Sequence, residues 1–116
     1  MDNRVEIALR GIAPSGALES YIGEQARKLD DICDRIRSCQ VVAEAQQREK
    51  SQVAQLAVRL IVTLPGTEVV VNREHCNDVY EAVRNAFAAA GIQLKDYMRR
   101  RNIETRPRNG APNSRR

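Results

Sequence analysis

The side chains of this chain best suited to metal or nucleophilic chemistry are three cysteines, Cys33, Cys39 and Cys76, and one histidine, His75. Their spacing serves neither purpose. No C-x-x-C or H-x-x-x-H pair is present, and such spacings are what bring ligands onto one tetrahedral ion. His75 and Cys76 are neighbours, and successive side chains of an extended chain diverge. A Cys-His nucleophile pair needs the two groups to face each other, with a third group orienting the base. A single histidine leaves little to build this from. The carboxylates are scattered. Asp30 and Asp31 are adjacent on a predicted helix, so they point apart. No glycine-rich phosphate loop occurs. The expectation is therefore a protein that is not an enzyme, with no metal and no cofactor. Its thiols read as free, in a reducing cytoplasm, with Cys33 a small core residue.

The residue type that does accumulate is arginine. Residues 99 to 116 hold seven arginines against one acid, Glu104, a local charge of +6 in a chain of net charge +4. The rest of the chain sums to −2. A basic end on a nearly neutral body points to a polyanionic partner engaged from one side. Arginine suits phosphate, because its planar fork pairs bidentately and keeps its charge at any cellular pH. A solubilising tail is the plainer explanation. Cations near a helix C-terminus also complement its dipole, which accounts for one or two arginines rather than seven. With no Trp, one Phe and three Tyr, the chain is poorly supplied for a base-stacking platform. No run of 18 apolar residues is present to span a membrane, and the opening MDNRVEIALRG lacks the apolar stretch of a secretory signal.

The elements that would carry these groups follow from periodicity. With 116 residues the chain suits one domain with its own aliphatic core. In RVEIALR, residues 4 to 10, Val5, Ile7 and Leu9 share one face of a half-buried strand. Ser15 is a plausible N-cap for a helix over roughly 15 to 35, striped by Leu18, Ile22, Leu29, Ile32, Cys33 and Ile36. Cys39, Val41, Ala43 and Ala45 alternate in a second strand. After the polar QQREKSQ turn, a third strand runs around 53 to 63, with Leu56, Val58, Leu60 and Val62 on one face and Ala57, Arg59 and Ile61 on the other. Leu64-Pro65-Gly66-Thr67 is a turn, and EVVVN makes a fourth strand around 67 to 73. Asp78 opens the last helix, with Glu81 at capping-box spacing. Its stripe is Val79, Val83, Ala86, Phe87, Ala90, Leu94 and Met98, which stays in phase past Gly91. Tyr80, Val83, Phe87 and Leu94 are expected to bury against Ile22, Leu29 and the sheet. Arg84, Lys95 and Arg99 lie along one outward line at 3.6 residues per turn, and Arg100 and Arg101 extend it off the helix end. The fold class is α+β, in the order β-α-β-β-β-α. Four strands with one apolar face call for both helices on that face. A domain over 1–104 is followed by a basic tail over 105–116 that includes Arg106 and Arg108 and is expected to be disordered.

In that order the chain resembles the ribosome hibernation-promoting factors, or ribosome-associated translation inhibitors. One matching stretch is ALESYIGEQARKLDDICDRI, residues 17 to 36. Leu29, Asp30, Asp34, Arg35 and Ile36 fit the family's helix ending, with Cys33 where an aromatic is usual. The other is NDVYEAVRNAFAAAGIQLKDYMRR, residues 77 to 100, where Asp78, Val79, Tyr80, Ala82 and Val83 reproduce the opening of the family's last helix. The resemblance covers roughly residues 4 to 102. It implies a four-stranded sheet with both helices on one face, and a protein that occupies the mRNA and tRNA path of the small ribosomal subunit, contacts its RNA and inhibits translation in stress or stationary phase. Family helices carry a lysine-rich surface. The first helix offers only Arg27, Lys28 and Arg35 in that role, mixed with Asp30, Asp31 and Asp34; the RNA-binding candidates are Arg27 and Lys28, beside Arg84, Lys95, Arg99, Arg100 and Arg101 on the second helix and Arg106 and Arg108 in the tail. Long members add a dimerising domain for which this chain has no room, so a monomer is expected when free. The alternative is a non-enzymatic interaction module that recognises a protein through its open sheet face or its basic tail.

Overall fold

The computed structural model describes residues 4–46 and 55–105. The order is β1 (Arg4–Arg10), α1 (Gly16–Ile32), β2 (Ser38–Gln46), β3 (Gln55–Leu64), β4 (Thr67–Cys76) and α2 (Val79–Thr105). This is the expected β-α-β-β-β-α chain. The QQREKSQ turn lies mostly outside the described residues. So do the first positions expected in the third strand and the tail with Arg106 and Arg108.

The sheet has the order β1-β2-β3-β4. β1 and β2 are parallel, as a helical crossover requires, while β2–β3 and β3–β4 are antiparallel. The β3–β4 hairpin turns on Pro65-Gly66, where Gly66 takes φ 77, the left-handed conformation that favours glycine at this position. Alternation sends Cys39, Val41, Ala43, Val58, Leu60, Val62, Val69 and Val71 to one buried face. α2 lies over β3 and β4, and α1 packs beside it. Leu18, Ile22, Ala26 and Leu29 of α1 complete the core with Val83, Ala86, Phe87, Ala90 and Leu94 of α2.

The caps behave as their residue types dictate. Ser15 Oγ accepts from the Leu18 N–H at 3.2 Å. Asp78 Oδ1 accepts from the Tyr80 N–H at 2.9 Å. Glu81 does not close the capping box; its carboxylate faces Arg84 at 3.9 Å.

Four expectations need correction. α1 ends at Ile32, where the Cys33 N–H closes the last turn on the Leu29 carbonyl at 2.9 Å. Cys33 and Ile36 are still buried, but a turn delivers them, so their spacing imitated a helix. β4 continues to Cys76, three residues beyond the expected end at 73. A bulge between Arg73 and Cys76 puts one extra residue on β4, which breaks the alternation and hid the strand's end. Tyr80 is 39% exposed rather than buried; its ring meets Tyr21 edge-on at 5.3 Å. Finally, α2 runs unbroken through Gly91 to Thr105, so the three arginines lie inside the helix and not off its end.

Candidate nucleic-acid interface

The two helices lie side by side and run in the same direction. Tyr21 meets Tyr80 near their starts, and Leu29 and Ile32 meet Gly91 further along. Gly91 sits at this contact. A Cβ there would stand 3.3 Å from Ile32 Cδ1 and 3.9 Å from Leu29 Cδ2.

On the side away from the sheet this contact leaves a groove of about 270 Å³. Leu29, Ile32, Phe87, Ala88, Gly91 and Ile92 form its apolar lining, and Gln25, Lys28, Arg84 and Lys95 its polar one. No carboxylate lines it. Three of the sequence-derived candidates, Lys28, Arg84 and Lys95, are thus brought together from two helices. All three are exposed. Arg84 shares an exposed ion pair with Glu81, and such pairs hold a side chain weakly, by about 0–1 kcal/mol.

The arginine run does not form one surface. Consecutive helical residues are rotated by about 100°, and the three side chains part accordingly. Arg99 and Arg100 are exposed, and both bind Asp96, Arg100 through Nε at 3.0 Å. Arg101 is half-buried, with its guanidinium 5.9 Å from the centre of the Tyr97 ring. Arg27 is exposed on α1 and lines no part of the groove.

Three residues of the groove were not singled out from the sequence, Gln25, Ala88 and Ile92. Ile92 is 71% exposed. A signal for it was present, because it falls out of phase with the stripe through Phe87, Ala90 and Leu94. A large aliphatic residue on the outward arc of a helix is the mark of such a position.

Other surfaces have a different character. The open sheet face carries a cleft with Arg10, Arg59, Glu44 and Glu74 around Val42, Ala57 and Ile61. A cleft beside the end of the β3–β4 hairpin mixes Arg100 with Glu68 and Asp96. Both contain acids, unlike the groove between the helices.

All three thiols are free. Burial pushes the Cys39 thiol up to about 11, with nearby Asp30 adding to the shift. Burial also raises Cys33 and Cys76. His75 takes φ 62 in the β4 bulge and its Nδ1 meets Gln55 Oε1 at 3.1 Å. The Cys76 thiol turns to the Glu74 carbonyl at 3.6 Å. Among the described residues no three His, Cys, Asp or Glu side chains gather as a metal site, and no helix is long and apolar enough to cross a membrane.

The fold matches solved structures closely in shape and distantly in sequence. A ribosomal subunit interface protein from Coxiella burnetii superposes with a TM-score of 0.68 at 19% identity, over 82% of this chain and 97% of that one. The N-terminal domain of Thermus thermophilus Protein Y gives 0.64 at 21% identity, over 83% and 99%. At these identities the likeness carries the fold. Among curated protein sequences none matches the chain. The family model for the sigma 54 modulation protein / S30EA ribosomal protein matches residues 5–102. That span takes in all six elements and every cation of the groove, and the chain belongs to that family.

Proposed function

We propose that this protein binds the small ribosomal subunit through its RNA, occupies the path of mRNA and tRNA, and holds translation down in stress or stationary phase. The observation that carries this reading is the convergence of Lys28, Arg84 and Lys95 on a groove lined by no carboxylate. It supports binding to a polyanion by the helix face of the domain. Family membership and the two structural neighbours, a subunit interface protein among them, support a ribosomal partner, and ribosomal RNA is the polyanion such a partner offers. Exposed Arg27 on α1 and Arg99 and Arg100 on α2 serve as further phosphate contacts outside the groove, and Arg106 and Arg108 of the tail add to them. The work is steric and electrostatic, with no reaction catalysed, in the cytoplasm and by a protein that is monomeric when free.

Sedimentation of lysate on a sucrose gradient tests it. The protein should travel with the small subunit, and salt should release it. If each of these eight cations neutralises one phosphate, the slope of log K against log salt is about −5.6, with the single-strand coefficient of about 0.7 per phosphate. Lys28→Ala, Arg84→Ala and Lys95→Ala together should flatten that slope by about 2. Wild-type protein that stays at the top of the gradient at low salt would refute the reading. Co-sedimentation that ignores salt would point instead to a protein contact, through the open sheet face or the tail.

A further inference from the structure

We propose that the groove between α1 and α2 receives one unstacked base of single-stranded RNA, with the neighbouring phosphates on Lys28, Arg84 and Lys95. This rests on the ribosomal RNA reading above and names the form of RNA that the site selects.

The lining has two parts that duplex RNA cannot satisfy together. Cations attract any phosphate backbone, and a duplex would serve them. The floor of Leu29, Ile32, Phe87 and Ile92 gains nothing from a backbone, because it offers no charge. Its accessible part, exposed Ile92 and half-buried Ile32 above the buried Leu29 and Phe87, gains from a flat apolar face brought out of water. In a duplex those faces are stacked and out of reach, and protein side chains read RNA bases chiefly where loops and single strands leave them splayed. Ile92, at 71% exposure, stands where such a face would cover it. Gly91 keeps the floor low, since it adds no side chain between Ile32 and Ile92.

The size and ends of the groove favour a nucleotide over a protein segment. A volume of about 270 Å³ falls just short of the roughly 300–1,000 Å³ of pockets that hold drug-sized ligands. A docked amphipathic helix would need apolar anchors spread over two turns. Here the apolar floor is closed off by cations. Arg84 and Lys95 are separated by eleven positions, about 16 Å at 1.5 Å per residue, a span of more than one nucleotide, so they serve phosphates further along the strand on each side of the seated base. The amide of Gln25 both donates and accepts, which suits a base edge.

Fluorescence anisotropy on the full chain tests this with three probes: a short single-stranded RNA homopolymer, its perfect duplex, and an abasic ribose-phosphate strand of the same length. The single strand should bind about tenfold tighter than the abasic strand, the gain expected from taking the apolar face of one base and the tip of Ile92 out of water. Ile92→Ser should remove that preference and leave the salt slope unchanged. Lys95→Ala should flatten the slope by about 0.7 and keep the preference. Because Ile92 is exposed, its replacement leaves the fold intact, and a melting curve checks this. Equal binding of the RNA and abasic strands overturns the proposal while leaving the phosphate reading in place. So does an Ile92→Ser variant that loses the small subunit but keeps oligonucleotide binding, which would put a protein in the groove. Absence of binding to any strand and to the small subunit overturns both.

Discussion

Gly91 and Ile32 are in such close approach that a methyl on the glycine would lie 3.3 Å from Ile32 Cδ1. The atom in the way is the tip of a half-buried side chain on the groove floor, free to shift outward by the few tenths of an ångström required. Gly91 is helical, and alanine in a helix interior is favoured over glycine by about 1 kcal/mol. Gly91→Ala should therefore leave stability unchanged or raise it by up to about 1 kcal/mol. Gly91→Leu has no such escape and should cost about 1–3 kcal/mol through overpacking. Urea denaturation measures both; an alanine variant weaker than wild type by more than 1 kcal/mol would mean that the helices cannot give at this contact.

The same contact shows what the sequence could and could not disclose. The stripe through Leu94 and Met98 kept its phase past Gly91, so a continuous helix was legible. That the glycine is where two helices touch was not, because it depends on how α1 lies against α2. Val5, Ile7 and Leu9 announced β1 by strict alternation. Cys33 and Ile36 were placed in the core correctly but in the wrong element, since a turn can return residues at helical spacing. Tyr80 was read as core because its position borders the stripe, and an aromatic ring at such a border reaches sideways to Tyr21 instead. At the site, the line of Arg84 and Lys95 followed from 3.6 residues per turn. Lys28 reached the groove's list only through family resemblance, because nothing local distinguishes it from Arg27. The pairing of Asp96 with Arg99 and Arg100 sits at the i,i+3 and i,i+4 spacings that make helical neighbours, so it was legible in the sequence and was missed because the arginines were read alone.

Phe87 is 3% exposed between the helices and the sheet. It also supplies part of the groove floor. Truncating it leaves a cavity that neighbours of this size fill only in part. Phe87→Ala should destabilise the domain by about 3–5 kcal/mol. A loss below about 1 kcal/mol in denaturant titration would show that the site collapses freely, contrary to the close packing of α1 on α2.

Cys39 gives the domain an alkaline weakness. Its thiol rises from 9.0 to about 11 in the folded chain because burial disfavours the thiolate. A raised folded value means a contribution that is whole below the unfolded value and is lost as pH climbs through the folded one. Stability should thus fall between about pH 9 and 11 by more in wild type than in Cys39→Ala, which has no thiol to titrate. Near neutral pH, alkylating reagent should reach half-buried Cys76 well before Cys33 or Cys39, which are fully buried. Thermal melts across that pH range decide the first point, and mass spectrometry of the alkylated protein decides the second. Parallel pH curves for wild type and Cys39→Ala would remove the thiol from the account.

Asp96 engages Arg99 and Arg100 at once, one carboxylate oxygen to each. On the proposed reading these arginines meet phosphate, so the acid has two opposed effects on RNA. It holds two guanidiniums in place, and it repels the phosphates they would meet. Exposed ion pairs of this kind are worth about 0.2–1 kcal/mol, and each guanidinium keeps further N–H donors for phosphate, so the ordering effect is small. The repulsion acts on every phosphate nearby, within a Debye length of about 8–10 Å. Repulsion should win. Asp96→Asn should tighten binding to single-stranded RNA and to the small subunit at low salt, and steepen the slope of log K against log salt by about 0.7. Stability should change by less than about 1 kcal/mol, since the pairs lost lie at the surface. Replacing Arg99 and Arg100 by alanine should weaken binding, flatten the slope by about 1.4, and shrink the gain from Asp96→Asn when the three changes are combined. Weaker RNA binding by the Asp96→Asn protein, with its fold intact, would show that the carboxylate serves to aim the arginines rather than to restrain them.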